Sequence, residues 1–95
     1  MLRPLLLSLA LVSTPALAAG DFEAQPVTRP AHDRFVAGDN IWRCSEAGCW
    51  SARNGARPAL VCWALVRAVG PLRSFSADGR AFDAASLEAC HRRAR

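Results

Sequence analysis

Apolar positions along the chain change period several times, and each change predicts an element. Leu5 to Val12 is apolar apart from Ser8. Residues 19–40 show no strong period: Phe22, Val27, Phe35 and Val36 are the only large apolar residues, and Pro26 and Pro30 interrupt them. That stretch reads as an extended arm or linker, with at most a short strand near Arg34 to Ala37. Ile41 to Ala52 reads as a β-hairpin, because Ile41 and Trp42 favour a strand and Ser45-Glu-Ala-Gly48 has the composition of a turn.

The period then becomes helical. Pro58 stands where a first helical residue belongs, and Gly70-Pro71 is a stop signal. Between them Val61, Cys62, Leu65, Val66 and Val69 fall on one stripe, with Leu60, Trp63 and Arg67 on the other side. Trp63 and Arg67 are four apart, so ring and guanidinium can stack, but the favoured reading of this face is that the arm or the first hairpin covers Leu60 and Trp63. Arg73 to Asp83 reads as a second hairpin about Asp78-Gly79, a strong two-residue turn signal that pairs Ala77 with Arg80 and Phe75 with Phe82. Asp83 is a good N-cap for a last helix from Ala84 to about Arg93, whose apolar positions are Leu87, Cys90 and Ala94. The expected fold is a small α+β domain over 41–95, ordered β-hairpin, helix, β-hairpin, helix.

The first 18 residues have the form of an export signal: Arg3, then the apolar run, then Ala16-Leu17-Ala18 as a cleavage site. The run is too short for a spanning helix, so no transmembrane span is expected after its removal. Periplasmic or secreted localisation follows. The signal also holds 7 of the 11 leucines, and only 17 large apolar side chains remain beyond it. So small a core excludes several domains or a Rossmann-type cofactor unit, and it needs cross-links.

Cys44, Cys49, Cys62 and Cys90 supply them. An even cysteine count in a small exported chain reads as a disulfide framework. If the first hairpin closes on Ser45 to Gly48, Cys44 and Cys49 oppose each other across it. Cys62 and Cys90 both lie on apolar helix faces. Of the three possible connectivities, Cys44–Cys49 with Cys62–Cys90 therefore ranks first.

From Trp42 the pattern runs Trp-x-Cys-x4-Cys, Arg-Pro-x3-Cys, Val-Gly-x-Leu-x-Ser-Phe and Gly-x-x-Phe-Asp-x3-Leu-x-x-Cys. Over residues 41–91 this resembles a family of small exported, uncharacterised four-cysteine proteins of alphaproteobacteria. The resemblance implies export and a four-cysteine fold, and it brings no catalytic residue.

Catalysis is not expected. A zinc site using the cysteines and His91 lacks the paired C-x2-4-C spacing of structural zinc. His32 and His91 fit no hydrolase motif, and His91 reads as a helix-terminal residue beside Cys90. A thiol-disulfide redox role for Cys44 and Cys49 is the alternative function, although C-x-x-C is missing. No metal or other cofactor is implied. All 12 basic residues are arginine, and the charge is uneven: residues 19–39 carry −2, residues 40–95 carry +5. Arg53, Arg57, Trp63, Arg67, Arg92, Arg93 and Arg95 are the candidate binding residues. They point to a non-catalytic envelope protein that binds a partner protein or an anionic envelope surface rather than nucleic acid.

Overall fold

The computed structural model describes residues 21–95. The expected export signal at 1–18 lies outside them. Six strands form one antiparallel sheet: β1 (Phe22–Pro26), β2 (Arg34–Ala37), β3 (Asn40–Ser45), β4 (Gly48–Ser51), β5 (Leu72–Ala77) and β6 (Arg80–Ala81). Helix α1 (Pro58–Val69) lies between β4 and β5 in the chain, and α2 (Ala84–Arg93) follows β6. The sheet order is β2-β3-β4-β1-β5-β6. The fold is the expected α+β domain, but with a larger sheet.

That enlargement corrects the reading of residues 19–40 as an arm. They supply β2, the short strand allowed for at Arg34 to Ala37, and also β1, an inner strand hydrogen-bonded to both β4 and β5. The physical reason lies in its surroundings. Phe22 and Ala24 turn toward the helices and are buried, while Glu23 and Gln25 alternate to the other face. One phenylalanine and one alanine give a weak apolar pattern, but a strand paired on both sides draws its order from two ladders. Gly48 has φ +128°, and a Cβ there would lie 2.9 Å from the Ala24 carbonyl oxygen, so the β1–β4 approach requires glycine. The β1–β5 register shifts between Gln25 and Pro26, where proline ends the strand.

The two hairpins sit as their turn chemistry dictates. Cys44 opposes Cys49, and the turn is tighter than expected because Ser45 also pairs with Gly48, leaving only Glu46-Ala47 as the loop. The Cys44 N–H donates to the Asp33 carbonyl at 2.7 Å, away from β4. The cysteines therefore occupy a close, non-hydrogen-bonded pair, with Cα atoms 4.0 Å apart. In the second hairpin Ala77 pairs with Arg80 across Asp78 (φ +56°) and Gly79 (φ +76°), the two left-handed residues an Asp-Gly turn supplies. Phe75 meets Phe82 edge-on at 4.8 Å between centroids.

Both helices begin and end where the sequence signals stand. Pro58 opens α1, and the Gly70 N–H closes it on the Val66 carbonyl at 2.8 Å. The Asp83 carboxylate accepts the Ser86 N–H at 2.7 Å to cap α2. Val61, Cys62, Leu65 and Cys90 of the helices share one core with Phe22, Trp42, Cys49, Leu72 and Phe75 of the sheet. Disulfides join Cys44 to Cys49 and Cys62 to Cys90, the latter tying α1 to α2. A buried polar link holds the loop after β4: the Asn40 amide donates to Ser51 Oγ at 3.1 Å, and the Asn54 amide donates to Asn40 Oδ1 at 3.2 Å.

Candidate functional site

The candidate binding residues fall into separate places, and only some of them meet. Trp63 stands half-buried on α1. The Arg67 guanidinium lies 5.5 Å from its ring centroid, and that of Arg93 on α2 lies 5.7 Å from it. The i, i+4 spacing made the first contact legible. The second depends on the packing of α1 against α2, which the Cys62–Cys90 disulfide secures. Neither guanidinium forms a salt bridge among the described residues. A shallow depression of about 370 Å³ adjoins the indole, lined by Val36, Ala37, Gly38, Trp63, Arg67 and their neighbours. Gly38, whose φ is +61°, comes close to α1 here: a Cβ on it would lie 3.1 Å from that of Ala64.

The remaining candidates are differently employed. Arg53 lies 5.1 Å from the Phe22 ring centroid and forms a 3.2 Å salt bridge with Asp78. Its charge is thus paired with an acid at the end of the sheet. Arg57 is the N-cap residue of α1 and makes no side-chain capping bond. Arg92 and Arg95 are exposed near the chain terminus. His91 joins α2 to β5, because its Nε2 accepts the Leu72 N–H at 3.0 Å. In the neutral ring the proton then sits on Nδ1. His32 is exposed in the β1–β2 connection.

All four cysteines are oxidised, so no thiolate among them is available to a metal. The cysteines of the first disulfide stand on strands, with Cys49 buried and Cys44 half-buried. Neither has the helix N-terminus that activates a redox thiol. No helix among the described residues is long and apolar enough to cross a membrane.

A set of surface residues that periodicity did not single out lies on the sheet face away from the helices. Arg34 opposes Arg43 across β2 and β3, Val36 opposes Ile41, and Arg43 opposes Trp50 across β3 and β4. All five are exposed. Their common face was hidden in the sequence because it requires the register of three strands, one of which looked like part of an arm.

All of this arrangement except Arg93 and Arg95 falls within one family match. The profile of a family of unknown function, DUF8200, matches residues 7–92. The chain belongs to the DUF8200 family. The match takes in β1 and β2 as well as the four-cysteine segment, so in this DUF8200 protein the N-terminal strands lie inside the family unit and do not merely precede it. No curated protein and no solved structure matches this DUF8200 chain.

Proposed function

We propose that this DUF8200 protein is an exported, non-catalytic envelope protein that binds an anionic group on a partner protein or envelope surface through arginine and tryptophan side chains. The observation that carries the reading is the convergence of Arg67 and Arg93 on Trp63 without an acidic partner among the described residues. Two cations beside one indole repel each other, and an incoming carboxylate or phosphate relieves that repulsion. The indole also limits the motion of both guanidiniums, which lowers the entropy lost on binding. Oxidised cysteines in a small domain suit an oxidising compartment, which supports the export reading.

Elution from an immobilised polyanion such as heparin tests the site with charge held constant. Arg67→Ala with Arg93→Ala removes the same charge as Arg92→Ala with Arg95→Ala. The first double variant is expected to elute at clearly lower salt than the second. Equal shifts would mean that net charge alone drives retention, and the proposed site would be wrong.

A further inference from the structure

The open face of the sheet carries a second feature, built from residues that the proposed function does not use. Val36 and Ile41 are a cross-strand pair, 67% and 57% exposed, and Trp50 is 45% exposed. Arg34, Arg43 and Trp50 form one cross-strand row in that order, beside the row of Val36 and Ile41. Arg34 faces Arg43, and the Arg43 guanidinium lies 5.6 Å from the Trp50 ring centroid. Like charges directly opposite in a sheet are destabilising. No acidic side chain among the described residues forms a salt bridge with either of them. Acids stand close by in the chain, but Asp33 is engaged by Arg29, and Glu23 lies beyond Trp50 in the cross-strand row.

We propose that this face is a peripheral membrane-binding surface for a bilayer of anionic phospholipid. Charge complementarity selects the lipid: the arginine pair can clasp one phosphate between two planar donor groups. The apolar residues select a bilayer over a free anion. Val36, Ile41 and Trp50 project from a sheet face instead of filling a core. The boundary between headgroups and acyl chains takes up such side chains and favours indole in particular. Arg43, Ile41 and Trp50 of the inner strands point away from the helices that carry Trp63, Arg67 and Arg93, while Val36, on the edge strand, also borders the depression beside Trp63. A bilayer held here leaves the helical face free.

The test uses the full chain and vesicles whose acyl chains carry bromine, which quenches nearby indoles. On phosphatidylglycerol vesicles, Trp50 emission is expected to be quenched, and Trp50→Phe removes most of that quenching because Trp42 is buried and Trp63 stands on α1 rather than on this face. Arg34→Gln with Arg43→Gln should weaken vesicle binding about thirtyfold, the scale of two basic residues at an anionic surface. Val36→Thr with Ile41→Thr should weaken it as well. Phosphatidylcholine vesicles should give little quenching. Arg67→Ala with Arg93→Ala removes the same charge and should weaken the quenching of Trp50 far less than the Arg34 and Arg43 double variant does, which separates this proposal from the preceding one.

Equal quenching by both lipids overturns the proposal, as does binding indifferent to Arg34 and Arg43. A chain tethered only through its first 20 residues leaves Trp50 unquenched, and so does a face reserved for an acidic protein; either outcome overturns it too. Sodium phosphate that displaces the protein far better than sodium chloride of equal ionic strength would indicate a free-anion site and would also overturn it.

Discussion

The two disulfides solve different problems. Cys44–Cys49 joins neighbouring strands that a tight turn and a ladder already hold together, and it spans five residues of sequence. Cys62–Cys90 joins two helices with both strands of the second hairpin between them in the chain, and it spans 28. The short bond fixes a register that hydrogen bonds also specify. The long bond fixes a layer that has little else to specify it: α2 buries only Cys90 fully, with Leu87 half-covered. In a domain with so few large core residues, covalent cross-linking matters most where apolar packing is thinnest.

Replacing Cys62 and Cys90 together by alanine should cost about 3.5 kcal/mol from loop entropy alone. Some further loss is expected from the thinner contact between α1 and α2. Replacing Cys44 and Cys49 together should cost about 2 kcal/mol, with the β3–β4 register kept. Urea unfolding of the two double variants measures both losses. Equal losses, or a larger one for the hairpin bond, would refute the assignment of the long bond as the principal support of the helical layer. Retained cross-strand nuclear Overhauser effects between Arg43 and Trp50 would confirm that the ladder holds the first hairpin without its sulfurs.

The same contrast separates what could be read in the chain from what could not. The bond partners, both helices and the second hairpin rest on local signals: Pro58 and Gly70, Asp78-Gly79, and Asp83 three residues before Ser86. Each acts within a few residues of itself. The inner strand β1 has no such signal. Its place depends on Ser51 and Cys49 on one side and Ala77 and Phe75 on the other, more than twenty residues away in the chain. A segment with one phenylalanine and a terminal proline has too little intrinsic strand preference to declare itself. The candidate site divides likewise. Trp63 and Arg67 meet through helical spacing, whereas Arg93 arrives through tertiary packing. Arg53 looked free because its partners, Phe22 and Asp78, are distant in sequence.

The smallest expected effect sharpens the account of α2. Its N-terminus is held by Asp83, whose carboxyl is kept below its ordinary value first by the backbone hydrogen bond from Ser86. Because the folded-state value is the lower one, the cap's contribution is fully present above the unfolded value near 3.8. It is lost as pH falls through the folded value. Amide exchange at Ser86 and Leu87 should therefore accelerate in acid, beyond its intrinsic pH dependence, while amides near Cys90 hold their protection. The Leu87 N–H donates to the Asp83 carbonyl, so it reports the same first turn. Asp83→Asn keeps an N-cap acceptor but cannot titrate. The variant should show the same protection as wild type at neutral pH and no acid-dependent loss beyond the intrinsic one. If the amides at Ser86 and Cys90 lose protection together in the wild-type protein, α2 opens as a unit. The disulfide would then not hold its C-terminal half independently of the cap.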